Sequence, residues 1–130
     1  MNADNPGRVN SIQREEKARE YRRIALLIRS HEGDKDASGA LIYEAAKQCI
    51  NAVASQRGTN SGPTAAKVRF LQDLAVAFTD LPKLLEHWQA ASALHVNSDR
   101  LHLSESQYEV AWTDAQVFID EMLLIYTVNQ

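Results

Sequence analysis

The sequence predicts an all-α protein, folded as an antiparallel four- or five-helix up-and-down bundle. Apolar residues recur at three- and four-residue spacing through most of the chain, and no segment shows the strict alternation of a half-buried strand. The 130 residues, of which 45% are hydrophobic and 24% charged, are enough for one domain with its own core. We therefore predict a single helical-bundle domain over residues 11–130, preceded by a flexible polar tail over residues 1–10.

The first two predicted helices are joined by a polar turn. The first helix is expected from Ser11 to His31, where residues 32–36 supply Gly and Asp to end it. The second is expected from Ala37 or Ser38 to Arg57. It is apolar over a wide arc and rich in alanine, which is typical of a helix at the centre of a bundle.

Three further turn signals delimit the remaining helices. The Gly-rich run 58–63 is the clearest loop, and Thr64 after it is expected to cap the third helix. Residues 80–82 break that helix and start a fourth, which should end at residues 97–99. Ser104 with Gln107 has the pattern of a capping box, and it predicts the start of the fifth helix.

Composition disfavours several classes of site. The lone Cys49 permits no intramolecular disulfide and no cysteine-based metal site, and it suggests a reducing, cytoplasmic setting. His87 and His95 are eight residues apart and lack a close-spaced His or Glu partner, so we expect no metal and no cofactor. The glycines at 58–62 do not form a known phosphate loop, because they follow no strand and include no Lys. No segment is apolar enough to predict a membrane span.

Charge is distributed unevenly along the chain. Residues 8–29 hold seven basic and three acidic residues, whereas residues 101–130 hold five acidic residues and no Lys or Arg. Either the two ends attract each other as ordinary solvated faces, or the basic helix contacts nucleic acid or an acidic partner. The net charge of −3 argues against a dedicated nucleic-acid-binding protein.

The segment from Leu94 to His102 holds the densest group of reactive side chains. His95, Arg100 and His102 are the catalytic candidates, because imidazoles transfer protons near neutral pH and a guanidinium can neutralise a phosphate. Asn97, Asp99 and Arg100 are the binding candidates. The alternative is structural: Asn97 and Asp99 are ordinary turn residues, Arg100 is simply exposed, and His95 is a core histidine beside Trp88.

The second helix, with its run Tyr43-Glu44-Ala45-Ala46-Lys47, resembles that of HEPN-type proteins. The similarity continues in Leu94-His95-Val96-Asn97 and in the last helix from Ser104 to Leu123, and it is strongest to small stand-alone prokaryotic members, the PaREP1-like group. The resemblance covers residues 38–124. It implies a helical bundle that dimerises and a role with nucleotides or RNA, and many relatives are toxin-like endoribonucleases of toxin–antitoxin systems.

The chain departs from the ribonuclease members at the residues that matter for cleavage. Those enzymes carry an Arg followed by His after four to six intervening residues, and no Arg–His pair here has that spacing. We therefore expect a homodimeric, non-catalytic HEPN-like module that binds a nucleotide, RNA or a partner protein. The alternatives are a metal-independent endoribonuclease using the 95–102 segment, and a bundle that holds a small molecule between its helices.

Overall fold

A computed structural model describes residues 6–129 of the chain, and this part folds into five helices with no strand. The helices are α1 (Pro6–Ser30), α2 (Lys35–Gln56), α3 (Thr64–Ala77), α4 (Leu84–Arg100) and α5 (Glu105–Val128). The all-α prediction is confirmed. No helix within residues 6–129 combines the length and the apolar character that a membrane crossing requires.

The first helix begins earlier than predicted. It starts at Pro6, so residues 6–10 of the predicted tail are helical, while residues 1–5 lie outside the described part of the chain. Proline is well suited to the first position of a helix, because the N–H group that it lacks would have no intrahelical partner there. Further along, Asn10 donates a hydrogen bond to the Ser55 hydroxyl of α2 and ties this end of α1 to the bundle.

Capping explains where the other helices start. α2 begins at Lys35 because the Asp34 carboxylate accepts hydrogen bonds from the backbone N–H groups of Asp36 and Ala37. The expectation that Thr64 caps α3 is wrong. The extended Pro63 occupies the cap position without a side-chain bond, and Thr64 is the first helical residue.

The connection between α4 and α5 matches the prediction at one end and differs at the other. The Ser104–Gln107 capping box is present at the start of α5, as predicted. α4 continues past the predicted stop to Arg100. It ends there because Leu101 adopts a left-handed conformation, with φ of 51°, and donates its N–H to the Asn97 carbonyl oxygen.

α2 lies at the centre of the bundle and packs against α1, α4 and α5. Side-chain contacts show that α1 and α4 run antiparallel to α2, whereas α5 runs parallel to it. The contacts are Asn10–Ser55 and Arg14–Gln48 for α1, Tyr43–Trp88 and Asp36–Asn97 for α4, and Ser38–Tyr108 and Gln56–Tyr126 for α5. α3 adds Leu71 and Leu74 to the core and packs mainly on α4.

Small residues on α2 allow its neighbours to approach closely. A Cβ atom on Gly39 would lie 3.1 Å from the Tyr108 hydroxyl oxygen of α5 and 3.6 Å from the Leu94 Cβ of α4. Cys49, further along the same helix, is buried. Burial raises the pKa of its thiol to about 12, so Cys49 stays protonated and unreactive at neutral pH.

Ion pairs between α1 and α5 account for part of the charge asymmetry. Arg22 Nη1 lies 2.5 Å from Asp120 Oδ1, and Arg29 Nη2 lies 2.9 Å from Glu109 Oε1. The Arg29 guanidinium also lies over the Trp112 ring, 4.6 Å from its centroid. These two arginines of the basic helix therefore contact the acidic helix within the bundle.

Candidate functional site

The predicted site segment does not form one cluster in the structure. His95 is exposed on α4 and stacks on Tyr43 of α2, with ring centroids 4.2 Å apart and planes 15° apart. Asn97 is buried, whereas Asp99, Arg100 and His102 are exposed. The alternative that placed His95 in the core beside Trp88 is wrong, because Tyr43 separates the two rings.

Asn97 holds three parts of the fold together. Its Nδ2 donates to Asp36 Oδ1 over 3.0 Å, and its Oδ1 accepts the backbone N–H of Leu103 over 2.9 Å. These bonds join the end of α4 to the first turn of α2 and to the loop before α5. Asn97 is 4% exposed, so its position suits a structural role better than contact with a ligand.

The other members of the segment stand apart from His95. The side chains of Asp99, Arg100 and His102 make no hydrogen bond, ion pair or ring contact with another residue in the 6–129 range. A general base and a charge-stabilising group must both reach the reacting atoms, and no contact within the described chain brings these side chains together. The catalytic role of His95, Arg100 and His102 stays a prediction.

One polar pair on the packed face between α4 and α5 was not identified from the sequence. His87 Nδ1 lies 2.6 Å from Glu121 Oε1, and both side chains are largely shielded from solvent. The sequence offered no signal, because the two residues are 34 positions apart. In the described residues no group of three or more His, Cys, Asp or Glu side chains is placed to hold a metal ion.

An aromatic column runs from the surface into the core. It consists of His95, Tyr43, Trp88 and Phe118, in that order, with successive ring centroids 4.2, 5.6 and 5.6 Å apart. Lys47, one helical turn after Tyr43, places its ammonium 5.5 Å from the Tyr43 ring centroid and pairs with Glu44 over 3.1 Å. The outer end of the column is thus a stacked, exposed ring beside a cation.

A polar pocket of about 370 Å³ lies between α1, the end of α2 and the start of α3. Apart from Ala54 and Gly62, the residues lining it are polar or basic, and none of them is Asp or Glu. We call this cavity the polar pocket. The residues that line it include Asn10, Arg14, Asn51, Ser55, Ser61 and Lys67. Ser61 is buried and donates to Asn51 Oδ1 over 2.7 Å, which fixes the loop that closes the pocket.

Lys67 lines the polar pocket and is close enough to Lys47, the cation beside the aromatic column, to be influenced by its charge. Its ammonium donates a hydrogen bond to the Gly62 carbonyl oxygen. The pKa of Lys67 lies below its usual range, chiefly because the side chain is partly buried and also because the Lys47 cation is near. The Lys67 cation is therefore both partly shielded from solvent and near the Lys47 cation.

The sequence contained only part of the signal for this pocket. The loop 58–63 was recognised, but its glycines were set aside because no Lys lies among them. Lys67 is five residues further on, in the first turns of α3, and the helix returns it to Gly62. Arg14 was one of several basic residues on α1, and nothing in the sequence distinguished it from the others.

No protein-family model, curated protein or solved structure matches this chain significantly. The geometry of the molecule is therefore the sole basis for assigning the site. The resemblance to HEPN-type proteins stays a prediction.

Proposed function

We propose that this chain is a non-catalytic, HEPN-like helical module that binds RNA or a nucleotide and acts as a homodimer in the cytoplasm. The observation that carries the proposal is the exposed His95–Tyr43 ring stack with the Lys47 ammonium beside it. Bases stack on aromatic side chains regardless of their sequence, and a neighbouring cation attracts the phosphate backbone. The polar pocket, with Lys67 and Arg14, extends the positive charge away from this platform.

Charge along this surface favours an anionic ligand, although not uniformly. Lys67 and Arg14 have no carboxylate partner among the described residues, whereas Lys47 is partly neutralised by Glu44. Further along α1, Arg22 and Arg29 are paired with acidic residues of α5. Lys67 and Arg14, which line the cavity where α1, α2 and α3 meet, are therefore cations that a ligand can still neutralise.

Removing the platform should weaken RNA binding. We expect the double variant His95→Ala/Lys47→Gln to bind fluorescent single-stranded RNA at least about tenfold more weakly, since one stacked base contributes about 1–3 kcal/mol. The measurement is fluorescence anisotropy at several salt concentrations. The salt slope should fall by about 0.7 for each phosphate of a single strand that the variant no longer neutralises.

The matched control is His102→Ala/Arg100→Gln, which likewise removes one imidazole and one positive charge, here from the predicted catalytic segment. It should bind RNA as the wild type does. Loss of binding in the control alone would contradict the proposed surface. Chelator-resistant cleavage of the RNA by the wild type, abolished in the control variant, would instead favour the endoribonuclease alternative.

Self-association is supported by an apolar stripe on α5. Val110, Val117 and Leu124 are 61%, 38% and 56% exposed, and their seven-residue spacing aligns them on one side of the helix. We expect light scattering to give twice the mass of 14.6 kDa at micromolar concentration. A strict monomer at high concentration would contradict the homodimer.

A further inference from the structure

The polar pocket is lined by two cations, Arg14 and Lys67, whose hydrogen-bond donors are not all used. Arg14 uses one of its N–H donors on Gln48 Oε1, 3.1 Å away, and Lys67 uses one of its three on the Gly62 carbonyl oxygen. Both cations therefore retain donors that no described residue accepts. They line one cavity, and no carboxylate among its lining residues can neutralise them.

The surrounding polar groups make the cavity a built site rather than a loose surface patch. The Asn10 amide bonds the Ser55 hydroxyl, the Ser61 hydroxyl bonds the Asn51 amide oxygen, and the Asn60 side chain accepts the Gly62 N–H. These bonds connect α1, α2 and the 58–63 loop around the opening. The Ser61–Asn51 bond ties the loop to α2, and such preorganisation reduces the entropic cost of binding.

We propose that the polar pocket binds a phosphate group, held by Lys67 and Arg14 and oriented by the amide of Asn51. A phosphate offers several acceptor oxygens and up to two negative charges, which match two cations with unused donors. α3 begins two residues after Gly62 with no side-chain cap, so the positive end of its dipole follows directly on the loop that lines the pocket.

The lowered pKa of Lys67 is consistent with an anionic ligand in this pocket. Its pKa is lowered first by burial and then by Lys47, so the pocket holds a cation that its surroundings disfavour. A bound phosphate would favour the charged amine and raise the pKa again. Affinity should accordingly fall as the pH rises through the lowered pKa of Lys67.

The phosphate could come from free phosphate or from the end of an RNA or nucleotide. Only the second source rests on the proposed function, in which the aromatic column would stack a base while the polar pocket holds a terminal phosphate. The shared chemistry is the phosphate group itself. The experiment therefore has one arm for inorganic phosphate and one for RNA with either a 5′-phosphate or a 5′-hydroxyl.

The first arm titrates inorganic phosphate into wild-type protein at constant ionic strength, followed by amide NMR. We expect saturable shifts at Asn51, Ser61 and Gly62. The affinity should be at least about tenfold weaker in Lys67→Met, since a hydrogen bond to a charged group is worth about 1.5–3 kcal/mol. Lys83→Met, which removes an exposed lysine before α4, is the matched control and should bind as the wild type does.

Thermal unfolding shows whether each variant is folded, and Arg14→Met serves as a second test if Lys67→Met is not. Shifts that chloride reproduces, or equal affinity in the wild type and both pocket variants, would overturn the phosphate site. In the second arm, a preference for 5′-phosphorylated RNA that disappears in Lys67→Met identifies the RNA end as the source. RNA binding without phosphate binding overturns the phosphate site alone, whereas phosphate binding without RNA binding overturns RNA as the ligand and leaves the phosphate site in place.

Discussion

Replacing Asn97 with alanine should destabilise the fold by about 2–3 kcal/mol without a specific effect on ligand binding. The substitution removes the donor to the Asp36 carboxylate and the acceptor for the Leu103 N–H, and it leaves both groups partly buried without that partner. A domain of this size is stable by about 5–15 kcal/mol, so the decrease would be clear in urea unfolding. Folded Asn97→Ala protein should then bind RNA with the wild-type affinity.

The comparison with Asp99 makes this prediction specific. Asp99 is two residues further on, is exposed, and has no partner within residues 6–129, so Asp99→Ala should change stability by less than about 0.5 kcal/mol. Both residues were binding candidates from the sequence. If Asn97→Ala kept full stability but failed to bind RNA, Asn97 would be a ligand contact. Its assignment as a residue that stabilises the fold would then be wrong.

The helical class was predictable because each helix carries a strong local signal. Apolar periodicity, the capping box at Ser104 and the Gly-rich loop at 58–63 are all encoded within a few neighbouring residues. The errors arose where two local signals compete. Pro63 displaced Thr64 from the cap of α3, and the left-handed Leu101 allowed α4 to continue through residues that usually end helices.

The candidate site was less predictable because its contacts are long-range. Reactive residue types are adjacent in sequence between residues 94 and 102, but a helix directs neighbouring side chains to different faces. His95 therefore meets Tyr43, whereas Asn97 meets Asp36 on the other side of the turn. The polar pocket combines α1, α2 and α3, and no sequence spacing indicates that Arg14 and Lys67 line the same cavity.

The basic residues of α1 have two different roles, and the face of the helix on which each lies explains which role it has. On α1, residues 22 and 29 are seven positions apart and share the side that faces α5, where acidic residues meet them. Arg14 lies on the side that faces α2 and reaches a neutral amide instead. One basic helix thus supplies both internal ion pairs and an unneutralised cation, and only the structure separates the two roles.

The largest decrease in stability is expected from Trp88, which joins the core to the proposed binding surface. It is 2% exposed and contacts Phe118 on one side and Tyr43 on the other. Trp88→Ala should cost about 3–5 kcal/mol, because the bundle cannot close a cavity of that size. The measurement is again urea unfolding.

A milder substitution separates the two roles of Trp88. Trp88→Phe keeps an aromatic ring and most of the packing, so it should fold with a smaller decrease in stability while leaving less support beneath Tyr43. If the aromatic column supports the ring stack that binds RNA, the folded Trp88→Phe variant should bind RNA more weakly than wild type. A Phe118→Leu variant of similar stability should bind RNA more tightly than Trp88→Phe does, because Phe118 contacts Trp88 and is further from the surface. Equal affinities in the two variants would mean that Trp88 acts on the surface only through overall stability.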